Sequence, residues 1–455
     1  MKKRVMLLIY HLADGGAERA VTLWAKMLAD AKYDVTVATF YPHPNEYPLN
    51  PYVKHINLMP SYQQYIHSTY NIAACKKRLD QYLAENPQDI LIPFLLGCNI
   101  LATSDYNKQI SVVTQTVRDS PWHNEQGFKL CMRDWAIQKQ GSVILQNAEQ
   151  AEYFNTPLFK HVKKYIVHNP LNPDIIHLKK DNYLPIKKIV TVGRLVPQKN
   201  HALMIEIIRI LRDEFHENYH LDIFGAGELQ EQLQQQINTN HLNNLIKLKG
   251  HSNNIFHELI NYDLFLMTSL HEGTPNALLE AMGLGLPSLA VKCRTGITEL
   301  IQNNKNGYFV DSYDPHIIAK KIHEINQPKQ LEAIGKQARH DMFNRYSTDK
   351  VQTELVTAIE DLLHSKPKKH RAIIPPYLPV TQEEYQNYFE YSLYAIKNAS
   401  YSFGKQIFNH TRHVLKNINL SISHEVLQVY YEKLHKNDFK HMYQYLKKNS
   451  PDKNS

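Results

Sequence analysis

The chain has 455 residues, 43% of them hydrophobic and 21% charged, with a formal net charge of +8. That length and balance exclude a disordered chain and a small disulfide-stapled domain, and fit two or three domains with cores of their own. The four cysteines, Cys75, Cys98, Cys131 and Cys293, are scattered without CxxC pairing or histidines at zinc-finger spacing, and read as thiols in a reducing compartment. Residues 364–455 hold 14 Lys and Arg against 7 Asp and Glu, so nearly all the excess positive charge belongs to the tail.

The chain opens on Met1-Lys2-Lys3-Arg4 and the apolar run Val5–Tyr10. The run is too short for a signal peptide and is broken by Asp14-Gly15-Gly16, so it reads as a buried parallel strand. No apolar stretch reaches the ~18 residues of a membrane span, and a cytoplasmic or membrane-peripheral protein is expected. Ala17–Leu28 has helical period, with Ala20, Leu23, Trp24 and Met27 on one side. Val35–Phe40, Asp89–Pro93, Ile110–Thr114, Ser142–Leu145 and Tyr165–Val167 read as further strands. The pattern lapses over His168–Tyr183, which holds Pro170 and Pro173 and reads as a linker. Alternation then restarts, with strands at Lys188–Val192, Tyr219–Phe224, Ile246–Leu248, Leu264–Met267 and Ser288–Ala290. Helices are expected at Ala202–Phe215, Glu228–Asn238, Asn276–Met282 and Thr298–Gln302. Pro315–Leu363 reads as largely helical. Lys366–Pro379, rich in Pro and Lys, reads as a hinge, and Thr381–Lys448 has helical period. The expected architecture is α/β, with two doubly wound parallel-sheet domains facing a cleft and a helical C-terminal extension.

The strongest local signal is His271-Glu272-Gly273-Thr274-Pro275-Asn276-Ala277-Leu278-Leu279-Glu280-Ala281-Met282. It follows an apolar strand and opens an apolar helix. Its loop and helix-start amides suit an anion such as a pyrophosphate, and its two carboxylates suit hydroxyl recognition on a sugar or ribose. From spacing alone it reads equally as a strand, a turn and a capped helix with Glu280 pairing locally. Gly15 and Gly16 lie between the first strand and the first helix, where a tight turn lets backbone approach a ligand. Arg194 and Lys199 follow a strand and precede a helix, well placed for a diphosphate and equally readable as surface charges. Gly225 and Gly227 lack the third glycine of a dinucleotide fingerprint, which weakens a nicotinamide reading.

Glu272 and Glu280, separated by seven intervening residues in EGTPNALLEAM and followed by GLGLP, resemble the EX7E signature of retaining GT-B glycosyltransferases of family 4. Val192-Gly193-Arg194-Leu195-Val196-Pro197-Gln198-Lys199-Asn200 resembles that family's GRL…KN segment, and Ile223–Leu229 its GxG turn. Gly15-Gly16-Ala17-Glu18-Arg19 matches the GGAER motif of one branch. The resemblance covers about residues 5–360. It implies a Rossmann-like acceptor-side domain over 1–170 and a nucleotide-sugar domain over 184–345. It further implies a helix over 346–364 returning to the first domain, with residues 365–455 as a basic, Tyr-rich extension outside the match. As catalytic residues it implies Glu272, Arg194 and Lys199. As donor-binding residues it implies Gly15, Gly16, Gly193, Gly225, Gly273, Thr274, Pro275, Asn276 and Glu280, with Glu280 on the ribose. No cofactor or metal is expected beyond the donor, a UDP-sugar. Glu18 suits the helix dipole, and neither Glu18 nor Arg19 is given a catalytic role.

Thr114–Pro121 resembles the SERNDP segment of the GGAER branch with Arg118 and Asp119 in place of its RN pair. It departs from the histidine that many members carry there. Arg118 and Asp119 are the acceptor-side candidates, Arg118 reading either as a polar contact in the cleft or as half of a structural salt bridge. His123 is a weaker candidate. The implied reaction is transfer of a hexose or N-acetylhexosamine to a growing surface glycan: lipopolysaccharide, capsule or a lipid-linked oligosaccharide. The rival readings are an epimerase or phosphorylase of the same fold and a non-catalytic nucleotide-sugar-binding protein. In the tail, Phe403, Ile407, Val414 and Ile418 fall near one helical face with Lys405, Arg412 and Lys416 off it, which suits either an anionic membrane surface or a subdomain packed on the enzyme. No nucleic-acid motif accompanies the tail's basic charge.

Overall fold

The computed structural model of the chain describes residues 2–13, 15–66, 71–103, 110–121 and 128–367. His123 and the tail from residue 368 onward lie outside the described residues.

The first half builds parallel strands β1 (Arg4–Ile9), β2 (Asp34–Thr39), β3 (Lys54–Asn57), β4 (Gln88–Pro93) and β5 (Ile110–Val113), arranged β3-β2-β1-β4-β5. β1 is a continuous apolar run because the sheet covers it on both faces, and Val5 to Ile9 are fully buried. The chain then steps sideways. Thr114 donates its amide to Leu91, and β6 (Gln115–Thr116) starts a separate three-stranded parallel sheet with β7 (Ser142–Leu145) and β8 (Lys163–Ile166). The strand expected at Ile110–Thr114 is therefore the end of one sheet and the hinge into the next. The single N-terminal sheet is divided at a residue whose amide closes the first ladder.

The second half builds β9 (Lys188–Val192), β10 (His220–Phe224), β11 (Ile246–Gly250), β12 (Leu264–Met267), β13 (Ser288–Val291) and β14 (Tyr308–Val310). They form one parallel sheet in the order β11-β10-β9-β12-β13-β14. The order reverses between β9 and β12, and ligands of doubly wound sheets bind beyond the carboxyl ends of the strands at such a reversal. β1, flanked by β2 and β4, marks the corresponding point of the first sheet. The largest cluster of each domain is separate from the other's, one around Trp24 and the strands β1, β2 and β4, the other around the helix His201–Asp213 and the strands β9 and β10.

One expected helix is shorter than its pattern implied, and one helical stretch resolves into separate helices. The helix expected at Thr298–Gln302 is a single turn, Ile297–Leu300, ended where Ile301 turns extended. The helical stretch Pro315–Leu363 is three helices, Pro315–Glu324, Pro328–Tyr346 and Thr348–Ser365, with the second starting at a proline. The last of them lays Val351, Leu355, Ile359 and Leu362 into the first domain's core. Gln352 donates to the Met27 carbonyl (2.6 Å) and Lys163 meets Asp361 (2.6 Å) there. The stretch around His168–Tyr183 is irregular but packed: Leu171 and Ile175 are buried, and the Leu171 amide bonds Tyr346.

Candidate active site in the cleft

A cleft of about 660 Å³ lies between the two sheets at their reversal points. The segments after β1 and β6 line one wall, and those after β9 and β12 line the other. Of the residues singled out from sequence, Gly15, Gly16, Arg118, Asp119, Gly193, Arg194, Lys199, Glu272, Gly273, Thr274, Asn276 and Glu280 all line it. Gly225 and Pro275 do not. Gly225, at φ +139°, lets the backbone pass so close to the Gly193 carbonyl that a Cβ there would sit 1.9 Å from its oxygen. Pro275 precedes the first residue of the helix Asn276–Gly283.

Each signature carboxylate is held by a cation. Glu272, 6% exposed, accepts from Lys199 Nζ at 2.6 Å. Glu280, also buried, is paired with Arg19, which reaches it from the first turn of the opposite domain's helix Gly16–Asp30. Burial raises the Glu280 pKa, and the Arg19 guanidinium partly offsets that rise. Glu280 thus pairs across the cleft, not locally within its own helix. Arg194 is exposed at the cleft edge, one residue past Gly193.

The walls are tied together by polar contacts. Asn147 donates to the Gly273 carbonyl (3.1 Å) and to Thr274 Oγ1 (3.2 Å). Asn169 donates to Asn276 Oδ1 (2.7 Å) and accepts from Arg118 and from Gln146 (3.2 Å). A Cβ on Gly273 would sit 2.2 Å from Gln146 Oε1 and 2.8 Å from the Arg118 carbonyl, and one on Gly16 would lie 3.2 Å from Asn276 Nδ2. His271 faces Asp119 at 3.4 Å. Outside the cleft, His168 sits between Glu299 (2.8 Å) and Glu354 (2.9 Å), one on each domain's packing. Burial would lower its pKa, but the two carboxylates outweigh that and raise it to about 9.

Arg118 makes no salt bridge among the described residues. Its guanidinium bonds Asn169 and lies 5.4 Å from the centroids of both Trp24 and Phe94. Burial alone pulls its pKa down to about 9. Sequence reasoning missed Arg19, Asn147 and Asn169. Arg19 lay within the GGAER motif, but its partner is far away in sequence. Asn169 fell in the segment read as a linker, where nothing in the spacing marks it.

Residues 175–341 match the family described as Glycosyl transferases group 1. Among curated proteins, a poly(ribitol-phosphate) alpha-N-acetylglucosaminyltransferase of Staphylococcus aureus is 24% identical over 288 residues, covering 62% of this chain and 57% of that protein. An Escherichia coli UDP-Gal:alpha-D-GlcNAc-diphosphoundecaprenol alpha-1,3-galactosyltransferase is 26% identical over 246 residues, covering 54% of this chain and 60% of that protein. The chain therefore spans somewhat more than half the length of these relatives. Among solved structures, S. aureus TarM in complex with UDP, alpha-GlcNAc-glycerol and Fondaparinux superposes with a TM-score of 0.66 at 14% identity, over 78% of this chain and 99% of that one. The fold is GT-B, and residues 175–341, most of them in the second domain, are similar to the group 1 glycosyl transferases.

Proposed function

We propose that the chain is a retaining glycosyltransferase of the EX7E branch of family 4. In this reading it moves a hexose or N-acetylhexosamine from a UDP-sugar to a growing surface glycan. The observation that carries this is the convergence of two cation-held carboxylates, Glu272 with Lys199 and Glu280 with Arg19, on one cleft at the reversal points of both sheets. Related proteins named for transfer to poly(ribitol phosphate) and to GlcNAc-diphosphoundecaprenol support the acceptor class. UDP in the TarM complex and UDP-Gal in the galactosyltransferase's name support the donor.

In this reading Glu280 holds the ribose, Glu272 orients the sugar hydroxyls, and Arg194, Lys199 and the amides at Asn276 face the diphosphate. The acceptor hydroxyl replaces the diphosphate at the anomeric carbon, and UDP leaves with the negative charge that the two cations and the helix start neutralise. That charge stabilisation comes from side chains and amides without a metal ion. Among the described residues no helix is long and apolar enough to cross a membrane. The proposed setting is the cytoplasmic face of the membrane, and the proposed domain limits are 1–170, 184–345 and 346–364, with 365–455 as the extension.

A panel of UDP-sugars with the purified chain, scored for UDP release with and without a lipid extract, tests the reading. One donor is expected to give acceptor-dependent UDP release and an α-linked product by NMR. Inversion at the anomeric carbon would remove the retaining assignment, and UDP binding without turnover on any donor would leave a nucleotide-binding protein.

A further inference from the structure

We infer that the N-terminal wall of the cleft is a phosphate-binding subsite, built on Arg118 with Asn99 and Ser120, that takes an anionic group of the acceptor. The inference rests on the transferase reading and adds to it the chemistry of the molecule that receives the sugar.

The argument begins with unpaired polar atoms. Nε and Nη1 of Arg118 are buried and find no acceptor among the described residues. Asn99 Oδ1 finds no donor and Ser120 Oγ no partner of either kind among the described residues; both residues are 2% exposed, and all three residues line the cleft. Buried polar groups in folded proteins nearly always have partners, so orphans on residues that line one wall of a ligand cleft mark where a ligand's groups go. The Asn99 amide is fixed by its own bond to the Thr116 carbonyl (3.1 Å), which uses the nitrogen and leaves the oxygen.

The charge points the same way. Arg19 and Lys199 both have carboxylate partners in the cleft, whereas no carboxylate offsets the burial of Arg118. Burying a cation without a counter-charge is costly, and a chain that keeps one beside a cleft gains if the substrate brings the anion. A guanidinium presents its free N–H groups as a planar fork that matches phosphate oxygens, while Trp24 and Phe94 hold its faces. Asn99 Oδ1 accepts from a hydroxyl and Ser120 Oγ donates to or accepts from one. The wall therefore suits a phosphate next to hydroxyl-bearing carbons. The donor's diphosphate faces the opposite wall, at Arg194 and Lys199, so the phosphate on this side belongs to the acceptor.

Calorimetric titration of the full chain tests this, with glycerol 3-phosphate, glycerol, inorganic phosphate and UDP as probes, on wild type, Arg118→Gln and Arg118→Lys. Wild type is expected to bind glycerol 3-phosphate more tightly than glycerol. Arg118→Gln is expected to weaken that binding roughly tenfold or more, with Arg118→Lys restoring part of it. UDP affinity stays the same in all three, and the melting temperature of Arg118→Gln does not fall, because the substitution removes an uncompensated charge. A drop in UDP affinity with Arg118→Gln would overturn the proposal by giving the cation to the donor. No glycerol 3-phosphate binding by wild type, or binding that Arg118→Gln leaves unchanged, would also overturn it, as would a lowered melting temperature with both ligands lost. If wild type binds glycerol 3-phosphate but not UDP, the subsite stands and the transferase reading falls.

Discussion

The two walls of the cleft carry their charge differently. On the second domain's wall Glu272 is matched by Lys199 at 2.6 Å, and Glu280 is matched by Arg19 reaching over from the facing helix. On the first domain's wall Arg118 has neither a carboxylate nor a full set of hydrogen bonds among the described residues. A carboxylate with its own cation is held in place with or without a ligand. A wall with an unbalanced charge is completed by what it binds. The second domain's wall is also compact in sequence, with Arg194 and Lys199 in one segment and Glu272 to Glu280 in another. The first domain's wall is assembled from Asn99, Arg118 with Asp119, and Asn169, which come from three separate segments.

Breaking the second domain's wall has the largest expected effect. Lys199→Ala removes the cation proposed to face the diphosphate and leaves Glu272 without its partner. Transfer is expected to fall about 100-fold or more, roughly 3 kcal/mol of barrier, as read by kcat/KM for the donor. Retention of more than half the activity would separate this pair from the chemistry.

Arg19→Met probes the bond between the walls. It leaves a buried carboxylate unpaired and is expected to cost about 2 kcal/mol of stability by chemical denaturation. Adding Glu280→Gln to it should recover much of that loss. An additive double variant would show that the pair contributes nothing as a pair.

Gly273→Ala tests how tightly the walls meet. Its methyl carbon would fall 2.8 Å from the Arg118 carbonyl, a backbone atom that cannot swing away. A loss of roughly tenfold in kcat is expected, with a larger radius of gyration by solution scattering as the cleft opens. Unchanged scattering and kcat together would mean that the domains tolerate a wider gap.

The smallest effect concerns His168, which joins Glu299 to Glu354 away from the cleft. Its folded pKa, about 9, lies above the ordinary value of 6.5. The stability it contributes is therefore fully present below about pH 6.5 and is lost as pH rises through about 9. Denaturation free energy should fall by about 1–2 kcal/mol between pH 7 and pH 9.5 in wild type, and His168→Gln should flatten that slope. An equal slope in both proteins would remove His168 as its source.

Where local pattern decides structure, the sequence was readable. Lys188–Val192 and Leu264–Met267 are apolar runs bounded by turns, and both strands fall where the runs are. β3 was missed because Lys54–Asn57 is partly exposed with polar residues at both ends, which breaks the buried-strand pattern. β14, three residues long, gives too little pattern to read. The break at Thr114 depends on which sheet its neighbours join, and no periodicity records that. The same limit applies to the site. Glu272, Glu280, Arg194 and Lys199 form motifs because each set is close in sequence. Arg19 meeting Glu280, and Asn169 joining Arg118 to Asn276, are products of the two domains facing each other. The fold has to be known before such pairs can be seen.

The most direct measurement for the central claim is the affinity of wild type and Lys199→Ala for UDP and for UMP by titration calorimetry. A cleft that reads a diphosphate should bind UDP at least tenfold more tightly than UMP, and Lys199→Ala should erase most of that difference while leaving UMP binding nearly unchanged. Equal affinities for the two nucleotides in wild type, or a preference for UDP that survives Lys199→Ala, would contradict it.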